Sequence, residues 1–167
     1  METLSPYKMI RIGYQDQKSI QYAFESLKEL RKDYPYFPAW FYTKVTQGIA
    51  DGSRQLWFAV TIEDIVAGIL ILKKSPIEKK VCTLYVREPF RRKGVGTLMM
   101  YNAFSQLETS TPLATVSSNQ LSKYEALLRH FNFHLHKEYK DYYRYGSVEY
   151  SFNGELNTSI CDHVANW

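Results

Sequence analysis

Cysteine is nearly absent from this sequence. Two occur in 167 residues, Cys82 within an apolar run and Cys161 near the end. They make neither a disulfide framework nor a paired-cysteine metal site, and both read as packing residues or as incidental. Long apolar runs are missing too. No stretch approaches the ~18 uncharged apolar residues of a membrane-spanning helix. The opening Met1-Glu2-Thr3-Leu4-Ser5-Pro6 has no basic region followed by an apolar core. The expectation is a cytoplasmic protein with no membrane partner. Internal repeats and low-complexity tracts are lacking, and weak structural signals are confined to the first six residues and the last dozen or so.

What is present is apolar and aromatic. Hydrophobic residues make up 45% of the chain and aromatics 16%, with 14 tyrosines and 9 phenylalanines, enough to offset chain entropy and to exclude disorder. The length suits a single domain, with its core over about 8–152 and a C-terminal tail at 153–167. The net charge of +4 favours a phosphorylated ligand, a nucleic acid or an acidic partner without choosing among them.

The periodicities order the elements. Met9 to Gly13 reads as a strand, and from Asp16 a helix places Ile20, Phe24, Leu27 and Leu30 on one side until Asp33. The Asp33 to Pro38 segment breaks it, and Pro38 opens a second helix carrying Phe41, Val45 and Ile49. Leu56 to Ile62 and Ile65 to Leu72 form a hairpin about Glu63-Asp64, and Val81 to Val86 is a third strand beside them. A helix from Val95 to Leu107, a short strand from Leu113 to Val116 and a helix carrying Leu121, Tyr124, Leu128 and Phe131 follow. Leu135 to Tyr139 and Val148 to Phe152 close the chain as strands around a tyrosine-rich loop. A meander passing into strand–helix units predicts an α/β fold: a mixed, mostly antiparallel twisted sheet of about seven strands with helices on both faces.

Chemistry concentrates after the third of the meander strands. Between Val86 and the helix at Val95 lies the basic loop Arg91-Arg92-Lys93-Gly94-Val95-Gly96. A glycine-containing loop entering a helix N-terminus turns backbone N–H groups toward one point and makes an anion site. Glycine at 94 and 96 permits close approach of a phosphate, and the three cations add charge around it. A P-loop would need Gly-Lys-Ser/Thr, and a dinucleotide fingerprint a third glycine where Met99 stands.

This segment resembles the acetyl-CoA motif of the GNAT superfamily of N-acetyltransferases, Arg/Gln-x-x-Gly-x-Gly/Ala, through Arg91, Gly94 and Gly96. The order of elements over roughly residues 8 to 152 is similar as well. The resemblance implies an acyl-CoA N-acyltransferase-like fold and transfer of an acetyl group from acetyl-CoA, as cosubstrate, to an amine of a small molecule or a peptide. By resemblance the coenzyme is held by Leu84, Tyr85, Val86, Arg91, Arg92, Lys93, Gly94, Val95, Gly96, Thr97 and Asn119. The backbone of Arg91 to Gly96 takes the pyrophosphate, and Leu84 and Val86 pair with the pantetheine amides. The thioester would lie where the strand bearing Leu84 splays from the strand bearing Val116, with the Val86 N–H as oxyanion donor.

Amine transfer needs a neutral nucleophile and a proton source for the departing thiolate. Many members of the superfamily place a tyrosine five residues before the phenylalanine of a Gly-Phe pair. Here the pair is Asn132-Phe133 and the position is Leu128, so Tyr124, one turn earlier, and Tyr142 are the catalytic candidates, with His130 and Tyr143 also considered. Glu78 is the candidate base, and Asp64 a weaker one. His134 and His136 lie two apart on an expected strand, but no third ligand is evident and no metal is expected.

The aromatic stretches Tyr34 to Tyr42 and Tyr139 to Tyr145 would wall the acceptor side. They suit a flat acceptor and, with Lys44, Arg54, Lys137, Lys140 and Arg144, also a nucleic acid or aminoacyl-tRNA. A non-catalytic coenzyme-binding domain is the third reading, and a monomer or homodimer is expected in each.

Overall fold

In the computed structural model, which describes residues 5–156, the strands join in one seven-stranded sheet of order β1-β2-β3-β4-β5-β7-β6. The strands are β1 Tyr7–Ile12, β2 Arg54–Thr61, β3 Val66–Lys74, β4 Lys79–Val86, β5 Leu113–Ser117, β6 Leu135–Lys140 and β7 Val148–Phe152. All neighbours are antiparallel except β4 and β5. Cys161 and the tail beyond residue 156 lie outside the described residues.

One face is covered by α1 (Gln17–Leu27), α2 (Phe37–Trp40) and α3 (Thr46–Asp51). Asp16 caps α1 by accepting the Ser19 N–H at 3.1 Å. The helix buries Ile20, Ala23 and Leu27, then tightens into a 3₁₀ turn over Lys28–Lys32. Tyr34 precedes Pro35, whose ring disfavours helical backbone at the residue before it, and the chain turns away there. The single helix expected after Pro38 is interrupted: α2 passes through one wide π turn, Phe41–Val45, before α3. The extra residue keeps Phe37, Trp40, Phe41, Val45 and Gly48 all buried against the sheet.

The other face carries α4 (Val95–Leu107) and α5 (Leu121–His130). Val95, Met99, Met100, Ala103 and Leu107 of α4 pack with Leu70, Leu72, Val81, Leu84 and Val116 of the strands. The central strand β3, Val-Ala-Gly-Ile-Leu-Ile-Leu, is buried on both faces, as its unbroken apolar run requires.

β4 begins two residues earlier than expected and takes in Lys79 and Lys80, with Lys80 only 1% exposed. Its register with β3 runs Ile71↔Thr83 and then Leu72↔Val81, so Cys82 is an extra residue, a β-bulge. The bulge explains the packing. Val81 and Leu84, three apart, both join the α4 side, while Cys82 and Tyr85 both face α1 to α3, a shift of one from strict alternation.

Gly68 of β3 lies where α4 crosses the sheet. A Cβ there would stand 2.5 Å from Met99 Sδ and 3.1 Å from both the Tyr85 carbonyl oxygen and Val95 Cγ1. Gly68→Ala is expected to destabilise the protein by about 1–3 kcal/mol, read as a lower denaturant midpoint with unchanged m.

Candidate active site

β4 and β5 share two register pairs, Lys80↔Leu113 and Val81↔Ala114, and then part. The bulge at Cys82 follows directly, and bending of the bulged strand is the local cause of the separation. In an antiparallel pair, residues alternate in which edge their N–H and C=O face. Arg87 N–H reaches the Ala67 carbonyl of β3, so Tyr85 also faces β3 while Leu84 and Val86 face the opening. Two contacts agree: the Leu84 carbonyl accepts the Tyr124 hydroxyl at 2.8 Å, and the Val86 carbonyl accepts Arg91 Nε at 3.1 Å. The Leu84 and Val86 N–H groups share that open edge.

The opening leads into a cleft of about 100 Å³ that crosses the sheet. Met100, Tyr124, Leu127 and Leu128 line its α4–α5 side, and Leu30, Tyr34 and Tyr143 line the other, with Lys80 to Tyr85 along one edge and Ala114 to Val116 along the second.

At the mouth of the first side, the Arg91 to Gly94 turn enters α4. Arg92 (φ 60°) and Gly94 (φ 83°) adopt left-handed backbone on either side of Lys93, a conformation that gathers successive N–H groups on one side. The first-turn N–H groups of α4 have no helical acceptor. A Cβ on Gly94 would meet nothing within 4 Å, and one on Gly96 would lie 3.6 Å from Leu127 and 3.9 Å from Leu84. Arg91, Arg92, Lys93 and Gly94 are exposed, Val95 is buried, and Gly96 and Thr97 are half-buried.

α5 sets Tyr124 and Leu128 one turn apart on one face. Both line the cleft, but only Tyr124 brings a hydroxyl. Burial pushes its pKa up to about 12, against the lowering effect of Arg91, so it holds its proton at neutral pH. Asn132 takes the left-handed position after α5, φ 55°, which asparagine tolerates in place of glycine.

The opposite side contains a cluster that the sequence reading missed. Glu149 of β7, 2% exposed, stands in register with Ser117 of β5. Tyr34 Oη donates to its carboxylate at 3.0 and 3.4 Å, and the Thr115 hydroxyl bonds it too. Burial raises the Glu149 pKa to about 7, although the Thr115 and Tyr34 hydrogen bonds and the Lys80 charge lower it. Burial also raises Tyr34 and Tyr143, with Glu149 adding to both, and lowers Lys80. Asp33 accepts Asn119 Nδ2 and Gln120 Nε2, each at 3.0 Å, and so ties the turn after α1 to the β5–α5 loop.

Several expected residues lie elsewhere. Glu78 stands at the far end of β4, six residues and roughly 20 Å from Leu84 along an extended strand, paired with Lys73 at 2.9 Å. Asn119 is engaged by Asp33. Tyr142 packs against the cluster of Leu113, Tyr139 and Leu156, and its neighbour Tyr143 is the one that reaches the cleft. Asp64 is exposed and paired with Lys8 at 3.0 Å. A register shift at His136 breaks the alternation that would have put it on one face with His134, and His136 lies 3.5 Å from Glu155. Among the described residues no group of three or more His, Cys, Asp or Glu could hold a metal, and no helix is long and apolar enough to cross a membrane.

Solved structures share this architecture. A protein of Desulfovibrio desulfuricans described as an acetyltransferase of the GNAT family is 14% identical, with 87% of this chain and 96% of that one covered at a TM-score of 0.63. A point mutant of the spermidine N-acetyltransferase SpeG from Vibrio cholerae is 14% identical over 89% and 94%, TM-score 0.60. A Bacillus anthracis protein described as a streptothricin acetyltransferase, solved in complex with acetyl coenzyme A, is 14% identical over 64% and 65%, TM-score 0.56. At these identities the likeness is one of fold. No curated protein sequence matches the chain. The Acetyltransferase (GNAT) family profile, however, matches residues 17–145, most of the chain and every element from α1 to the loop before β7, and the protein therefore belongs to the GNAT acetyltransferase family.

Proposed function

We propose that this chain moves an acetyl group from acetyl-CoA directly to an amine of a small acceptor, without an acyl-enzyme stage. The observation that carries this reading is the open edge of β4. Leu84 and Val86 share an edge of β4 left unpaired by β5, running from Leu84 in the cleft to Val86 beside Arg91 at the turn before α4, the spacing at which an extended amide-bearing chain could add to the strand. The residues present fit the coenzyme: left-handed backbone at Arg92 and Gly94 just before the N-terminus of α4, exposed cations at 91–93, and a narrow apolar cleft lined by Leu84 and Leu127, the two side chains nearest Gly96. When bound, acetyl-CoA supplies an activated acetyl carbon and a thiolate leaving group.

The chain's own groups then divide the work. The Val86 N–H is placed to donate to a carbonyl oxygen in the opening. Tyr124 can donate to a leaving sulfur once its hydroxyl turns from the Leu84 carbonyl. Leu30, Tyr34, Tyr85 and Tyr143 make an apolar and aromatic acceptor side suited to a flat amine. The nucleic-acid reading draws less support, because Arg54 is buried against Trp40 and Cys82 and Arg144 is bound to the Lys32 carbonyl.

Incubation with acetyl-CoA and a panel of primary amines should release free thiol only when an amine is present. Tight coenzyme binding without turnover would replace this reading with that of a binding domain. Gly96→Val should weaken acetyl-CoA binding at least about tenfold with little change in melting temperature, since its Cβ meets only ordinary contacts; Gly94 is a poorer test because its positive φ strains any replacement. Tyr124→Phe should leave coenzyme affinity nearly unchanged and lower kcat by about 10²-fold, and an unaltered kcat would remove Tyr124 from the chemistry.

A further inference from the structure

Three consecutive residues after α1 reach three different parts of the opening. The Lys32 carbonyl accepts Arg144 Nη1 of the β6–β7 loop at 2.8 Å, the Asp33 carboxylate accepts Asn119 Nδ2 and Gln120 Nε2 of the β5–α5 loop, and Tyr34 Oη donates to Glu149 of β7. The middle tie ends at the helix that carries Tyr124. We propose that Asp33 is a positioning residue for acetyl transfer: it fixes the start of α5, and with it the place of Tyr124, against the acceptor wall that begins at Tyr34. This rests on the role of Tyr124 proposed above.

α5 supplies little of its own anchoring. Of its ten residues only Leu128 is buried, while Leu121, Tyr124 and Leu127 are half-buried and packed against the core. Its N-cap residue, Gln120, makes no capping bond with its side chain, and Leu121-Ser122-Lys123 brings no acidic residue to the positive end of the helix. The Gln120 side chain is held outside the helix instead, with Nε2 on Asp33 and Oε1 accepting Lys123 Nζ, each at 3.0 Å. Asp33 is 8% exposed, so both of its bonds are sheltered from water.

The helix carries the effect onward. Gln120 precedes Tyr124 by four residues, about 6 Å of helical rise, and both side chains line the cleft. A displacement at Gln120 passes along one turn to the Tyr124 hydroxyl, which has to stay within reach of both the Leu84 carbonyl and the opening. The loop itself does not depend on Asp33. Its Ser118 N–H bonds the Val148 carbonyl at 2.8 Å, and the Gln120 N–H bonds that of Ser117 at 2.9 Å. Loss of the carboxylate therefore leaves the loop on β7 and loosens Asn119 and Gln120.

The test combines Asp33→Asn with Tyr124→Phe, at saturating acetyl-CoA and benzylamine. The substituted amide keeps one acceptor oxygen and turns an N–H group toward a donor, so one of the two bonds is lost. kcat is expected to fall about tenfold in the wild-type background and by less than about twofold in the Tyr124→Phe background. Adding Gln120→Glu to Asp33→Asn gives the introduced amide an acceptor and should recover most of the lost kcat. In coenzyme-free protein, amide hydrogen exchange over 121–130 should quicken about tenfold in Asp33→Asn and slow again in the pair. An unchanged kcat in Asp33→Asn, a pair no faster than Asp33→Asn, or exchange in α5 that keeps its wild-type rate would overturn the positioning role. Should Asp33→Asn not fold, Gln120→Ala removes one bond from the partner's side and runs the same cycle under the same criteria. An equal loss in both backgrounds would sink the role of Asp33 and leave that of Tyr124 standing, whereas a Tyr124→Phe protein with wild-type kcat would overturn both.

Discussion

β4 and β5 run parallel for two register pairs and then separate. Backbone groups at a sheet interior are ordinarily all paired, because an unpaired buried donor or acceptor costs free energy comparable to a lost hydrogen bond. The separation therefore has to be stabilised from outside the sheet. Tyr124 from α5 satisfies the Leu84 carbonyl and Arg91 from the turn before α4 satisfies that of Val86. The acceptors are provided for by side chains while the donors on the same edge stay available. The bulge at Cys82 turns β4 away without breaking its ladder to β3, so the opening is held by a strand that is otherwise fully integrated. The cleft follows from that one divergence.

The two sides of the opening differ in the acidity they create. On the α4–α5 side, burial moves Tyr124 to about 12, with the nearby Arg91 charge opposing it. Across the sheet, burial moves a carboxyl up to about 7 among two tyrosines, a threonine and a lysine. One group keeps its proton throughout the physiological range, and the other changes state within it. Groups whose environments push their pKa values apart are the usual way one pocket runs acid and base steps at the same pH.

Much of this was legible in the sequence, for physical reasons that also mark where legibility ended. The bounds of α4 and β7 and the Arg91–Gly96 turn follow from local signals, which are apolar spacing and glycines at a helix entry. Lys80 shows the limit. Two consecutive lysines read as a loop, yet β4 extends through them because long-range pairing with Lys73 and Leu113 outweighs their local polarity. Glu149 shows a second limit. In Val148-Glu149-Tyr150-Ser151-Phe152 the polar positions read as a solvent face, but Tyr34, distant in sequence, and Tyr143, in the adjoining β6–β7 loop, cover Glu149. The aromatic richness of those loops was the available signal. Glu78 illustrates the converse: nearness in sequence to the key strand says nothing about which end of the strand the chemistry occupies. That Tyr124 lines the cleft and Tyr142 does not depends on the helical phase of α5 and the path of the last loop, and only the first is encoded locally.

Holding Glu149 where it is has a cost that can be followed through its proton. Its folded pKa of about 7 exceeds the ordinary glutamate value of 4.5, so between those values the folded protein binds more protons than the unfolded chain. Stability then falls as pH rises through that window, by about 3 kcal/mol if this group acted alone. Below about 4.5 the carboxyl is neutral in both states and the cost vanishes. The pH range in which Glu149 is ionised is thus the range in which it strains the fold most. Such a group persists only where neighbours limit the loss, and here the lowering contributions of Thr115, Tyr34 and Lys80 do so without cancelling the effect of burial. A fully hydrogen-bonded carboxylate at this position would cost the fold less and would titrate at lower pH.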